Sequence, residues 1–115
     1  MRRGNKRKFG RVRNKRKALY KALATALIEH GKIKTTLAKA KSLAPFVDRL
    51  VSRALKGDIA SRKLVLYYIG EKATKKLFSD IGPLFKDKKG GYTKILKLGR
   101  RISDGAETAF LEFTK

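Results

Sequence analysis

Apolar residues recur along the first third of the chain with the spacing of an amphipathic helix. Between Asn14 and His30 the sequence is rich in Ala, Leu and Lys, which are strong helix formers, and leucines stand at positions 19, 23 and 27. Asn14 is a suitable N-cap, and Gly31 is a suitable residue just beyond the C-terminal end. The pattern therefore predicts one helix over this range.

The polar side of this helix is basic. Arg13, Lys17 and Lys21 repeat at the same spacing as the leucines but are offset by two residues. Because two residues correspond to about 200° around a helix, the leucines and the basic residues lie on opposite faces. We expect the leucine face to anchor the helix to the protein body and the basic face to remain exposed.

A strand and a second helix follow. Apolar and polar residues alternate from Lys32 to Leu37, which predicts a short strand with one buried face. A helical pattern then runs to about Lys56 and contains Pro45. Two interpretations remain open: the helix begins near Ser42 with the proline in its first turn, or it begins near Thr36 and kinks at the proline.

The next segments predict two more helices. Asp58 is a suitable cap for a helix that runs to about Ile69. Helical spacing resumes from Glu71 to Asp80, and the pair Gly82-Pro83 ends it.

The last quarter of the chain predicts an antiparallel pair of strands. The two strands are Tyr92–Leu98 and Glu107–Phe113, and the polar loop Gly99–Ala106 joins them. On the first strand, alternation places on one face Tyr92, Lys94, Leu96 and Leu98. On the second strand, it places on one face Ala109, Leu111 and Phe113.

These elements predict an α+β fold in two layers, with helices packed on a small sheet. The expected order is a basic N-terminal arm, then helix, strand, three helices and two strands. A hydrophobic fraction of 42% suits a real core in a chain of 115 residues. We expect residues 1–13 to form a basic extension and residues 14–115 to form a single domain.

Charge is the strongest functional signal in the sequence. The formal net charge is +22, and ten of the first 17 residues are Lys or Arg. Such a segment cannot bury itself, because desolvating unpaired charges is too costly, so it indicates a polyanionic partner such as nucleic acid. A mitochondrial transit peptide would also be basic, but it should be rich in Ser and amphipathic, whereas this segment has no Ser and contains Gly4 and Gly10.

The residues that enzymes use are scarce. The chain has no cysteine and one histidine, and it lacks the glycine motifs that bind dinucleotides or nucleoside triphosphates. We therefore expect no catalysis, no metal, no cofactor and no small-molecule substrate. His30 beside Glu29 suits a helix C-terminus, and Phe46, Tyr67 and Tyr68 stand at core spacing, so we expect them to pack rather than stack on bases. No apolar run approaches the length of a membrane span.

Three basic groups favour binding to nucleic acid: the arm, the polar face of the first helix with the lysines that follow it, and the segment from Lys86 to Arg101. Lys and Arg neutralise phosphates, glycines admit a phosphate close to backbone N–H groups, and Tyr92 offers a ring for stacking. The predicted RNA-binding residues are Arg2, Arg3, Lys6, Arg7, Lys8, Arg11, Arg13, Lys15, Arg16, Lys17, Lys21, Lys34, Lys39, Lys88, Lys89, Tyr92, Lys94, Arg100 and Arg101.

The type of nucleic acid is indicated by the base-reading side chains that the first helix lacks. Lys and Arg position a protein on phosphates but seldom specify bases, and the first helix carries little else on its polar face. This favours backbone and shape recognition of a large folded RNA. An architectural DNA-binding protein is the alternative, and a membrane-active basic helix is a third interpretation that a complete α+β core disfavours.

Three stretches of sequence resemble the bacterial family of large-subunit ribosomal proteins numbered seventeen. They are RKALYKALATALIEHGKIKTTLAKAKSL (Arg16 to Leu43), PFVDRLV (Pro45 to Val51) and GGYTKILKLGRR (Gly90 to Arg101). The resemblance implies a structural, one-domain α+β protein of the cytoplasmic ribosome, without catalytic activity or cofactor. It also implies binding to large-subunit ribosomal RNA near the exit of the nascent-peptide tunnel, with neighbouring ribosomal proteins in contact.

Overall fold

The helices and strands follow one another in the predicted α+β order. The computed structural model describes residues 13–114. Its elements are α1 (Arg13–His30), β1 (Lys32–Thr36), α2 (Leu37–Lys56), α3 (Ile59–Ile69), α4 (Glu71–Lys76), a π-helical turn (Leu77–Ile81), a 3-10 turn (Gly82–Phe85), β2 (Thr93–Arg100) and β3 (Glu107–Phe113).

The three strands form one antiparallel sheet in the order β1-β3-β2, so the last strand of the chain lies in the centre. Leu111 is paired with Ile33 on one side and with Ile95 on the other. The three residues of β3 that were predicted to share an apolar face are all buried against the helices: Ala109, Leu111 and Phe113. This confirms the predicted face of β3.

The prediction for β2 is wrong about which face is apolar and packed, because the face that carries Leu96 and Leu98 is exposed. Leu96 and Leu98 are 53% and 42% exposed, and Ile95 packs against the core instead. The register sets this orientation, because Ile95 stands opposite the buried Leu111 and neighbouring residues of a strand point to opposite faces. The register also shifts between Lys97 and Gly99, and β2 continues to Arg100, so the loop is shorter than expected.

Helix α2 decides between the two interpretations left open at the proline. It begins directly after Thr36, whose side chain accepts a hydrogen bond from the Lys39 N–H at 3.3 Å, and it continues through Pro45. Pro45 and Lys41, the residue whose carbonyl loses its helical donor, are both exposed, so water can hydrogen-bond that carbonyl. The early start shortens β1, because Leu37 already belongs to the helix.

Two helix boundaries differ from the prediction. Asn14 lies inside α1, which starts at Arg13, and is therefore not the N-cap. Helix α4 ends at Lys76, but the chain stays helical in a wider π turn that buries Leu77 and Ile81. Gly31 behaves as predicted, with a φ of 79° and its N–H bonded to the Leu27 carbonyl at 2.7 Å.

The core lies between the sheet and the helices. Helix α2 is its central helix, with six buried residues: Leu37, Ala40, Leu43, Val47, Leu50 and Val51. Helix α1 adds Ala24, Leu27 and Ile28, while Leu19 and Leu23 at its N-terminal end are half-buried. Across residues 13–114, no helix is both long enough and apolar enough to span a membrane.

Candidate nucleic-acid interface

The N-terminal half of α1 presents a dense row of cations. Arg13, Lys15, Lys17 and Lys21 are exposed, and Arg16 is half-buried. The first turn of the helix holds no acidic residue. A helix N-terminus carries a partial positive charge and is stabilised by anions, so this row of cations is unfavourable for the isolated helix. A bound anion such as a phosphate would relieve that repulsion.

A groove of about 470 Å³ runs beside this face, between α1, α2 and α3. Its rim holds three of the predicted residues of α1 and two arginines of α2: Arg16, Lys17, Lys21, Arg49 and Arg53. Four aromatic residues line it as well: Tyr20, Phe46, Tyr67 and Tyr68. No acidic residue is among the lining residues, so the groove has a single sign of charge.

The four aromatic rings form a continuous row across the groove. The ring of Phe46 lies 5.6 Å from those of both Tyr20 and Tyr68, and Tyr68 lies 5.2 Å from Tyr67, all measured between ring centroids. Phe46 packs against the core, as predicted. The packing prediction is wrong for Tyr67, which is 68% exposed.

Arg49 and Arg53 are basic residues of this groove that the sequence analysis did not select. Both are exposed, and they stand one helical turn apart on α2. A signal was present, because the i, i+4 spacing places the two arginines on the same side of the helix.

The outer face of the sheet carries the strand lysines. Lys34 of β1 stands opposite Phe110 of β3, and Lys32 Nζ lies 4.5 Å from the centroid of the Phe110 ring. Lys94 of β2 forms an ion pair with Glu112 at 3.2 Å. The predicted residues Lys34 and Lys94 are thus exposed on one face of the sheet, but Lys94 is partly neutralised.

Arg100, the last residue of β2, and Arg101, the first residue of the loop to β3, are exposed. Arg101 donates from Nε and Nη2 to the two carboxylate oxygens of Asp104, at 3.1 and 2.8 Å. A hydrogen bond from the Ala106 N–H and the bonds from Arg101 hold the pKa of Asp104 below its usual value. Arg100 donates to the Gly105 carbonyl, and within residues 13–114 it forms no ion pair, although Glu107 is its cross-strand neighbour.

Tyr92 requires a correction. Its ring was predicted to stack on RNA, but the residue is 3% exposed and its ring packs edge-to-face with Phe85 at 5.3 Å between centroids. The Tyr92 hydroxyl donates to the Lys88 carbonyl, and Lys88 Nζ donates to the Thr114 hydroxyl at 3.1 Å. Tyr92 therefore belongs to the core, because the chain turns inward after the glycines that precede it.

The other predicted residues fall into two groups. Lys89 is exposed and Lys39 is half-buried in the first turn of α2. The predicted residues of the arm lie outside the described residues: Arg2, Arg3, Lys6, Arg7, Lys8 and Arg11.

Few of these cations have an acidic partner. Within residues 13–114, the ion pairs are Lys94–Glu112 and Arg101–Asp104. The cations of α1 and of the groove therefore have no carboxylate within ion-pair distance in the part of the chain that the structure describes. In that same part, no group of three or more acidic or histidine side chains is placed to hold a metal ion.

Comparison with known proteins decides the family. The family model described as ribosomal protein L17 matches residues 19–114. The chain belongs to the ribosomal protein L17 family. Among its relatives are proteins named large ribosomal subunit protein bL17. The one from Campylobacter jejuni subsp. doylei is 50% identical over 93% of this chain and 92% of the relative. Those from Persephonella marina and Thermodesulfovibrio yellowstonii are 49% and 47% identical over 93% of this chain, and over 89% and 81% of the relatives.

Membership of this family confirms the resemblance found in the sequence and sets the general role. Members of the ribosomal protein L17 family are structural components of the bacterial ribosome in the cytoplasm and are not enzymes. Association with the large subunit and its RNA follows from the same membership.

Proposed function

We propose that this chain binds large-subunit ribosomal RNA through phosphate and shape contacts made by three parts: the N-terminal arm, the basic face of α1, and the basic segment that ends in the loop between β2 and β3. The observation that carries this proposal is the row of cations on α1, which has no acidic residue in its first turn and no ion-pair partner within residues 13–114. Phosphates of a folded RNA supply the missing anions.

The type of recognition follows from the side chains. The exposed groups of α1 that face away from the core are mainly Lys and Arg, which contact phosphates without distinguishing bases. The Arg100 guanidinium is available for a second RNA contact, because its hydrogen bond to a carbonyl leaves other donors free. The fold holds the α1 contact and the Arg100 contact on one body, since β2 and α2 are joined through the core.

The organisation of the chain is part of the same proposal. Residues 1–13 act as a basic extension that lies between RNA helices, and residues 14–115 act as a single domain that orients it. We propose a position near the exit of the nascent-peptide tunnel, in agreement with the resemblance described above. Neighbouring ribosomal proteins then contact surfaces that are not occupied by RNA.

A salt titration tests the RNA-binding proposal. The affinity of the full chain for a large-subunit ribosomal RNA fragment is measured between 50 and 200 mM salt. If the protein neutralises 6 to 10 phosphates, the affinity falls by roughly 10³ to 10⁵ over this range. An affinity that does not change with salt contradicts the proposal.

A deletion and a DNA competitor sharpen the same experiment. Deleting residues 2–13 should strongly weaken RNA binding and leave the thermal unfolding of the body nearly unchanged, because the core that the structure describes is built from residues 24–113. Loss of the folded body would show that the arm is structural instead. Equal or tighter binding to duplex DNA would favour an architectural DNA-binding protein over the proposed function.

A further inference from the structure

We propose that the groove between α1, α2 and α3 binds one or two unpaired nucleotides of the RNA, with a base stacked on Tyr67. This inference rests on the proposed RNA binding and adds a specific subsite to it. The row of cations on α1 is suited to a double-stranded backbone, whereas the groove combines cations with aromatic rings. That combination is typical of sites for single-stranded nucleic acid.

Charge selects an anionic ligand for the groove. Five cations surround it and no lining residue is acidic. Lys17, Lys21 and Arg53 come from two different helices, so the folded structure rather than local sequence brings them together. The ammonium of Lys21 also lies close to Gly70 at the end of α3.

The exposed aromatic ring favours a ligand that contains a planar group. Tyr67 is 68% exposed, and its ring meets the ring of Tyr68 in an edge-to-face arrangement with 5.2 Å between the centroids. Tyr68 in turn rests on Phe46, which is anchored in the core. The platform is therefore held in place before any ligand binds, which reduces the entropy lost on stacking.

A cation lies over one face of this platform. Lys17 Nζ lies 5.9 Å from the centroid of the Tyr67 ring. In a nucleotide the phosphate and the base are joined by one sugar, so a stacked base brings a phosphate near such an ammonium. The groove volume of about 470 Å³ falls within the roughly 300–1,000 Å³ of sites that hold small organic groups.

The chemistry of the lining also predicts tolerance of base sequence. No asparagine, glutamine or acidic side chain lines the groove, and these are the side chains that pair with the edges of adenine and cytosine. Stacking accepts any base, because every base has a planar face. We therefore expect selection for single-stranded over double-stranded RNA rather than for a particular base.

A pair of Tyr67 variants tests the groove in the full chain. The probes are a fluorescently labelled single strand of eight uridines and a duplex RNA of the same length. Tyr67→Leu removes the aromatic face, and the single-strand affinity should fall roughly tenfold. Tyr67→Phe keeps the ring and should bind like the parent chain. Leu66→Ala, an exposed change on the same helix outside the groove, is the matched control.

Three further readouts separate stacking from charge and from loss of folding. Tyr67→Leu changes no charge, so the slope of affinity against salt should stay the same, whereas Arg53→Gln should reduce that slope by about one. Three of the four tyrosines line the groove and the chain has no tryptophan, so binding of the single strand should quench the intrinsic tyrosine fluorescence. The thermal unfolding of each variant shows whether it is folded.

The outcomes distinguish this inference from the proposed function. If the parent chain binds both RNAs in a salt-dependent way and Tyr67→Leu has no effect on the single strand, the groove is not a nucleotide site and the general proposal stands. If the parent chain binds neither of these RNAs but binds the large-subunit ribosomal RNA fragment, only this inference fails; if it does not bind that fragment either, both fail. If crosslinking of purified large subunits joins groove residues to a neighbouring protein and not to RNA, the groove is a protein-docking site and the inference is overturned.

Discussion

The hydroxyl of Thr93 donates a hydrogen bond to the carboxylate of Asp48 at 3.1 Å and so joins β2 to the central helix α2. The two residues are 45 positions apart in the chain. Asp48 is half-buried, and Thr93 is the first residue of the strand that leads to Arg100. This bond therefore helps to fix the basic loop relative to the helices that carry the other cations.

Removing the hydroxyl should destabilise the protein. Thr93→Val leaves the carboxylate of Asp48 without its side-chain donor, and we expect the free energy of unfolding to fall by about 1–3 kcal/mol. Thr93→Ser keeps a hydroxyl and should lie much closer to the parent chain. Urea unfolding at pH 7 measures both changes. Equal stability of the Val and Ser variants would show that the hydrogen bond contributes nothing.

The carboxylate of Asp48 should also shape the dependence of stability on pH. Burial raises the pKa of Asp48 above its ordinary value of 3.8, although the bonds from Thr93 oppose this. The folded protein therefore holds this proton more tightly than the unfolded chain, and the resulting stability is complete below about pH 3.8 and is lost as pH rises through the folded pKa. Asp48→Asn should remove this contribution, as comparison of unfolding curves across that range would show. An unchanged pH profile would mean that the burial of Asp48 has no energetic effect.

The cap of α3 should show the opposite dependence. Asp58 accepts a hydrogen bond from the Ser61 N–H at 2.8 Å, and its hydrogen bonds to Ser61 lower the pKa of Asp58. Its stabilising effect is present above the unfolded pKa, near 3.8, and is lost as pH falls through the lower folded pKa. Asp58→Ala should reduce the Tm by a few degrees at pH 7, and this difference should shrink in acid. Asp58→Asn keeps an acceptor and is the control, and a Tm difference that is constant with pH would argue against the role of the charge.

Arg100 at the end of β2 and Arg101 in the loop that follows should contribute unequally to RNA binding. Arg101 is engaged by Asp104 through two hydrogen bonds, whereas Arg100 has no acidic partner within ion-pair distance in residues 13–114. Arg100→Gln should therefore weaken RNA binding more than Arg101→Gln, and Asp104→Asn should strengthen it by releasing Arg101. Affinities at a fixed low salt concentration measure the order. Greater loss from Arg101→Gln would place the phosphate at the ion pair instead.

The sequence predicted what depends on local periodicity and missed what depends on long-range pairing. The leucine spacing of α1 and the alternation in β3 were enough to place their buried faces, because each face is decided within its own segment. The face of β2 was wrong, since it depends on which residue meets Leu111 across the sheet. Tyr92 was assigned to RNA because its neighbours are basic and glycine-rich, yet Phe85 covers it in the fold.

The groove shows the same limit for the candidate site. The residues of α1 were predicted from their spacing, but Arg49 and Arg53 join them only because α2 packs beside α1 and α3. Their own helix gives no sign of a neighbouring aromatic row. Exposure of Tyr67 likewise depends on what the other elements leave uncovered, which no pattern within α3 reveals.

Ultraviolet crosslinking in cells, followed by sequencing of the attached RNA and identification of the crosslinked peptides, tests the central claim most directly. The account predicts that the attached RNA is mainly large-subunit ribosomal RNA. It also predicts that this RNA is joined to peptides from the arm, from α1 and from the end of β2 that carries Arg100. Crosslinks that go mainly to DNA or to scattered messenger RNA, or that avoid the basic face of α1, would contradict it.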